Sequence, residues 1–128
     1  MVTNTAGTTA RELSFQAVHF LRKTINWDDG QVTVGIIPSG SLIMPVLTKF
    51  YPTTDFDGSA VLDFGTSADP DFFGTDVDIT AVNTEIAAID ETVALTVSAD
   101  TTLVATVSGG SSAGIGELIV GFIPDIDG

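Results

Sequence analysis

Apolar and polar residues alternate over short stretches of this chain, which is the spacing of half-buried β-strands. The clearest runs are residues 31–37, 60–65, 92–98, 101–107 and 115–123. Gly, Pro, Asp and Asn separate the runs, so that strands recur about every 8 to 12 residues. This pattern predicts an all-β fold: a single antiparallel β-sandwich, jelly-roll-like, with about eight strands.

Residues 42–66 are the stretch around which we expect the fold to be organised. Both alternating sets within residues 42–49 are largely apolar, which predicts a strand covered on both faces. Pro45 has no amide hydrogen, so this strand needs an edge position or a bulge at that point. The turn-rich residues 52–58 end it, and residues 60–65 return as a strand that is apolar on one side. We therefore predict a hairpin across residues 42–66.

Two further hairpins are expected from turn chemistry. Asp29-Gly30 follows a predicted strand over residues 13–25, whose spacing fits a helix nearly as well, and precedes the strand at 31–37. In that later strand, Val32, Val34 and Ile36 should share one face. Residues 108–114, rich in Gly and Ser, should form the tip of the last hairpin.

The ends and the middle are less regular. Residues 1–10 are small and polar and predict a flexible N-terminal arm, either an unstructured end or an arm that orders on a neighbouring subunit; residues 11–128 are assigned to the sandwich domain. Residues 67–91 are the least regular part. There Asp69-Pro70 can start a single turn, which would let Phe72 and Phe73 close the end of the sandwich.

Charge divides the chain into two unlike parts. The formal net charge is −13, yet all four cations lie within the first 49 residues, and residues 51–128 carry 14 acids without one Lys or Arg. Such an acidic part repels phosphate, so no nucleic-acid partner is expected. With 128 residues and no Cys, one domain without disulfides or thiolate chemistry is expected. The chain start lacks the features of a signal peptide and no apolar run reaches membrane-spanning length, so synthesis without secretion and no membrane partner are expected.

Four segments resemble the capsid decoration or head-stabilisation proteins of tailed phages. They are Ile-Pro-Ser-Gly-Ser leading into Leu-Ile-Met-Pro-Val at 37–46, Leu-Asp-Phe-Gly-Thr with its aspartate-rich loop at 62–72, Thr-Thr-Leu-Val-Ala-Thr at 101–106, and the Gly/Ser/Ala tip followed by Gly-Glu-Leu-Ile-Val-Gly-Phe-Ile-Pro at 116–124. The resemblance covers about residues 30–124. It consists of strand and turn signatures and includes no chemical motif.

The resemblance implies a non-enzymatic virion protein. It implies a β-sandwich on the outside of a phage head, made in the host cytoplasm, bound to the major capsid protein and often trimeric at local three-fold positions. It implies no catalytic residue. The charge distribution adds one hypothesis of our own: the N-terminal arm and the less acidic part of the chain face the shell. The predicted capsid-contact residues are Arg11, Arg22, Lys23 and Lys49.

Other candidate sites compete with plainer interpretations. No cofactor is expected, although aspartates two residues apart can bind Ca²⁺, and the best candidates are Asp69, Asp71, Asp76 and Asp78. Aspartates of this kind more often cap turns. His19, the single histidine, is expected to be a packed residue without a catalytic partner. The alternative function is a carbohydrate-binding or host-attachment module of a phage tail or head fibre, with Trp27, Tyr51 and Phe56 as a sugar platform. A third alternative is an acid-resistant or cation-dependent tail component.

Overall fold

The computed structural model describes residues 17–81 and 84–124, and within them the chain forms eight strands in two antiparallel sheets. The predicted all-β sandwich of about eight strands is therefore confirmed. The strands are β1 (His19–Asn26), β2 (Gln31–Ile37), β3 (Leu42–Thr54), β4 (Val61–Thr66), β5 (Gly74–Asp78), β6 (Ile86–Ala87), β7 (Thr101–Ser108) and β8 (Ile115–Ile123). The predicted flexible arm over residues 1–10 lies outside the described residues.

Each sheet contains four of these strands. Sheet A has the order β1-β8-β3-β6, and sheet B has the order β2-β7-β4-β5. The chain passes repeatedly from one sheet to the other, which is consistent with a jelly-roll-like arrangement. None of the described segments forms a helix long and apolar enough to cross a membrane.

The core lies between the sheets and is rich in aromatic rings. Phe50 and Phe56 stack with ring centres 5.7 Å apart, and Phe64 and Phe73 with ring centres 5.4 Å apart. Both sheets contribute further buried aliphatic residues to the same cluster. They include Ile25, Ile37, Ile43, Leu62, Leu103, Leu118 and Val120.

The three predicted hairpins are wrong, although the turns that suggested them are present. β1 and β2 lie in different sheets, as do β3 and β4, and also β7 and β8. Each connection is therefore an arch between sheets. Phe56 shows the reason in the second arch: its side chain is almost fully buried between the sheets, so the chain crosses the end of the sandwich there. Among the described strands, β4 and β5 are consecutive neighbours in one sheet.

Bulges in β2 and β3 change which side chains of these strands face the core. In β2 the register shifts between Thr33 and Gly35, so Val34 and Ile37 are buried while Ile36 is exposed. The predicted shared face of Val32, Val34 and Ile36 is therefore wrong. In β3 the register shifts between Met44 and Lys49, which confirms the bulge expected at Pro45 in what is a central strand of sheet A.

The irregular segments also differ from expectation in detail. Residues 92–98 do not form the predicted strand. They run alongside the start of β3, to which they are joined by one β-bridge, between Leu42 and Thr96, and by backbone hydrogen bonds such as that from the Ile43 N–H to the Leu95 carbonyl. The predicted turn at Asp69-Pro70 is present, because the Phe72 N–H donates to the Asp69 carbonyl. Phe73 is then buried at the end of the sandwich, as expected.

Asp57 connects the β3–β4 arch to the β7–β8 arch by hydrogen bonds. Its carboxylate accepts hydrogen bonds from Ser111 Oγ (2.9 Å), the Ala113 N–H (3.0 Å) and both the N–H and Oγ of Ser112. These bonds, those from Ser112 first, hold the pKa of Asp57 well below its usual value. Asp57 therefore has a structural role, because its carboxylate links two loops that are distant in sequence.

Candidate functional site

The outer face of sheet A is the surface of this molecule with the clearest interaction features. Leu118, Val120 and Phe122 of β8 point into the core, so the alternate residues of that strand point outward. Pairing with β1 and β3 extends this outward face across the sheet. We call it the sheet A face; its residues are Phe20, Arg22, Thr24, Leu42, Met44, Leu47, Lys49, Tyr51, Glu117, Ile119 and Gly121.

Phe20 and Leu47 form the centre of the sheet A face. Phe20 pairs with Gly121 across β1 and β8, and its side chain is 56% exposed. A Cβ built on Gly121 would lie 2.7 Å from Leu47 Cβ and 3.2 Å from Phe20 Cε1. Because Gly121 has no side chain, Phe20 and Leu47 can both lie against the backbone of β8. The Phe20 ring remains exposed to solvent.

Further apolar residues surround this centre. Leu42 is 40% exposed, and Val46, in the β3 bulge, is 68% exposed. The sequence predicts a strand covered on both faces here, but the described residues cover the inner face and leave much of the outer one open. The prediction that both faces of this strand are covered is therefore wrong for the isolated chain.

The bulge is fixed by a buried hydroxyl group. Thr48 is fully buried, its Oγ1 donates to the Met44 carbonyl (2.9 Å) and accepts from the Gly121 N–H (3.4 Å). These two bonds tie the ends of the bulge to each other and to β8. Thr48 thereby determines where Leu47 lies on the sheet A face.

Two of the predicted contact cations lie on the sheet A face. Arg22 Nε donates to Glu117 Oε1 at 3.0 Å, and its side chain remains 71% exposed. Lys49 Nζ lies 3.7 Å from Glu85 Oε1. Partial burial opposes ionisation of Glu117, but hydrogen bonds from Thr24 and Arg22 outweigh it and lower the pKa of Glu117. Lys23 points to the other side of β1 by register, opposite Leu118, and Arg11 lies outside the described residues.

The outer face of sheet B has a different character. The strands of sheet B, as described, contain no Lys or Arg, and Asp63, Asp76 and Asp78 lie on their outward register. The turn at residues 69–72 folds back over Gly65, where an added Cβ would clash with its backbone. The 69–72 turn thus covers part of sheet B and the aspartates make its β4–β5 side acidic, whereas the sheet A face is apolar at its centre and carries both cations.

The four predicted calcium ligands are not gathered into one site. The side chains of Asp69 and Asp71 share a hydrogen bond, which raises the pKa of Asp69, with desolvation and the neighbouring charge adding to the effect. Asp78 instead accepts from the N–H and Oγ1 of Thr80 (2.9 and 2.6 Å), and the Asp76 N–H donates to Asp63. Within the described part of the chain, no three acids or histidines lie close enough to hold a metal ion.

The remaining candidates from the sequence are divided between core and surface. The ring of His19 packs against Phe122 with ring centres 5.8 Å apart, although the residue lies at the exposed start of β1. Phe56 is buried in the core and is therefore not available to a sugar platform, while Trp27 and Tyr51 keep some exposure. The proposed three-ring platform is therefore wrong in one of its members.

The edges of both sheets are protected against strand addition. On β1, Lys23 points inward, and an inward charge is a common guard of edge strands. On the other edges, β2 is bulged, β5 contains Asp76 with a positive φ of 51°, and β6 is two residues long. An interaction of this molecule is therefore expected to use a face.

Comparison with known proteins shows a shared fold. No family model matches the chain, and no curated protein matches it. A chain in the acidic stable capsid structure of Helicobacter pylori bacteriophage KHP30 has the same fold with a TM-score of 0.64 and 16% identity, over 84% of this chain and 87% of that one. A chain in the capsid asymmetric unit of cyanophage Pam1 has a TM-score of 0.60 and 13% identity, over 94% and 99%. The fold is thus that of chains found in phage capsid structures.

Sequence reasoning identified the cations of the sheet A face but missed its apolar centre. Two signals were present: the two-sided apolar pattern of residues 42–49, and a glycine at 121 within the apolar run of residues 118–123. The first is typical of a strand covered on both faces. The second marks a close approach of other groups to the backbone.

Proposed function

We propose that this chain is a non-enzymatic virion structural protein that binds the outside of a phage capsid and stabilises it. The observation that carries the proposal is the fold shared, over most of both chains, with components of two phage capsid structures. The open, apolar face of sheet A supports it, because such a surface is typical of proteins that bind other proteins. The chain would be made in the host cytoplasm and bind the major capsid protein.

In this proposal several copies act together. A homotrimer at a local three-fold position would bring three sets of contacts to neighbouring capsomers. Each contact can then be weak, since linked binding events raise the overall affinity far above that of one contact. The protein would thereby hold the joints of the shell without a single strong site.

The cations are proposed to help orient the molecule on the shell. Arg22 and Lys49 lie on the sheet A face, Lys23 lies on the adjoining edge strand, and Arg11 belongs to the segment that precedes it. Deleting residues 2–10 and neutralising Arg11 and Arg22 should weaken capsid binding. Unchanged binding would exclude this role for the arm and these charges.

The function itself is tested with empty heads assembled without this chain. The purified protein should co-sediment with them, reach saturation at a fixed number of copies per capsomer, and raise the temperature at which the heads break. Gel filtration of the free protein should show a trimer. A monomer that does not bind heads but binds sugars on a glycan array would support the carbohydrate-binding alternative instead.

A further inference from the structure

We propose that the sheet A face, centred on Phe20, is the docking surface, and that it meets a patch of the shell protein that is apolar at its centre and bordered by carboxylates. This inference rests on the proposed function and specifies the surface and the chemistry of the partner. It is independent of how many copies assemble.

The sequence of β3 predicts that both faces of the strand are covered, but the described chain covers only one of them. Residues 42–49 have apolar side chains on both sides of the strand, a pattern that belongs to strands covered twice. In the described chain one side is covered by the core, while Leu42 and Val46 remain exposed on the other side or at the bulge. A partner surface that is apolar at its centre would supply the second cover.

Phe20 is suited to be an interface anchor. Aromatic side chains carry much of the binding energy of protein interfaces. The ring of Phe20 lies against the backbone of Gly121, so less side-chain freedom is lost on binding than for a ring surrounded by solvent. More than half of its surface is nonetheless exposed.

Charge distinguishes the two outer faces. Arg22 and Lys49 border the apolar centre of the sheet A face, whereas aspartates lie on the outer side of β4 and β5 in sheet B. The bond to Glu117 uses one of the five N–H donors of the Arg22 guanidinium, so a partner carboxylate can be bound as well. Glu117 and Glu85 offset part of this positive charge, so an acidic partner surface would be repelled by the aspartates of sheet B much more than by the sheet A face, and this difference sets the orientation.

A second copy of the chain is the less suitable occupant. It would bring the same cations to the contact and the same net charge of −13 to the complex. Strand addition at an edge is also disfavoured, because each described edge is bulged, short, distorted or guarded by a charge. Charge complementarity therefore favours a different protein that carries carboxylates.

The test compares two exposed apolar residues on opposite faces. Phe20→Ser removes the anchor of the sheet A face, and Ile36→Ser is the matched control, since Ile36 is 63% exposed on sheet B. We expect Phe20→Ser to weaken binding to empty heads about tenfold or more, as for an interface anchor, and Ile36→Ser to bind as the wild type does. Leu42→Ser and Arg22→Ser should each weaken binding, since both residues lie on the sheet A face, and Arg22→Ser should also reduce the salt dependence of binding.

The outcomes separate this inference from the proposed function. Failure of the wild-type protein to bind heads would overturn the proposed function. If the wild type binds and folded Phe20→Ser and Leu42→Ser bind equally well, or if Ile36→Ser is the variant that loses binding, the docking surface is wrong. If Phe20→Ser instead changes the oligomeric state and leaves head binding intact, the face joins copies of this chain and the inference is overturned.

Discussion

Phe20 and Leu47 both lie against Gly121, although they belong to different strands, β1 and β3, on either side of β8. Both can approach this closely because position 121 has no side chain. The three neighbouring strands therefore form one surface with the Phe20 ring at its centre. The interaction proposed for this protein depends on that arrangement.

A side chain at position 121 should disturb this surface. Gly121→Ala places a methyl group 2.7 Å from Leu47 Cβ, an atom close to the backbone that has little room to move. Overpacking of this kind costs about 1–3 kcal/mol, so the free energy of unfolding in urea should fall by that amount. Gly35→Ala is the control: its methyl group meets the flexible end of Leu21, and we expect a smaller loss. Equal losses would show that Leu47 is not held rigidly.

The hydroxyl group of Thr48 should matter more than its size suggests. Thr48→Val keeps the volume but removes the bond to the Met44 carbonyl and the acceptor for the Gly121 N–H. Buried groups left without partners cost about 1–3 kcal/mol, and urea unfolding should report a loss in that range. The exposed Thr53, whose Oγ1 donates to the Ile115 carbonyl, provides the control. Thr53→Val should cost about 0.5 kcal/mol or less. A neutral Thr48→Val would contradict the role assigned to this bond.

The alternation of residues predicted several strands, with residues 92–98 as an exception, but did not predict which sheet each one joins. Residues 31–37, 101–107 and 115–123 are strands because every second residue is apolar, and this signal is local. Whether Asp29-Gly30 reverses the chain within a sheet or carries it to the opposite sheet depends on distant pairing, β1 with β8 and β2 with β7. A turn sequence does not contain that information.

The candidate surface was predicted only in part for a similar reason. Charge is visible in a sequence, so Arg22 and Lys49 could be found from it. The apolar centre requires knowing that Phe20 and Leu47 are neighbours of Gly121 in space. Bulges add to the difficulty, since one extra residue in β2 buries Val34 and exposes Ile36.

Low pH should weaken the hydrogen bonds by which Asp57 connects the β3–β4 arch to the β7–β8 arch. Its pKa is lowered in the folded state, so its contribution to stability is complete above the unfolded pKa and is lost as the pH falls from about 4 through the folded value. Asp57→Asn should therefore lower the melting temperature at pH 7 and flatten its decline below pH 4. Asp55→Asn, an exposed acid in the same arch, serves as the control. An unchanged acid profile for Asp57→Asn would contradict the assigned bonds.

Calcium should have little effect on the folded domain. The Asp78 carboxylate accepts hydrogen bonds from Thr80, and no metal-binding group of three forms within residues 17–81 and 84–124. We expect melting temperatures with excess EDTA and with millimolar Ca²⁺ to agree. A stabilisation by Ca²⁺ that is lost in Asp69→Asn and kept in Asp55→Asn would restore the loop at 69–78 as a site.

The central claim is that this β-sandwich lies on a phage shell with the sheet A face inward. Electron cryo-microscopy of empty heads saturated with the purified protein tests it most directly. We expect density for the sandwich on the outer surface of the shell, with Phe20 buried against an apolar patch and the aspartates of sheet B facing solvent. Density in which sheet B contacts the shell and Phe20 faces solvent would contradict the account.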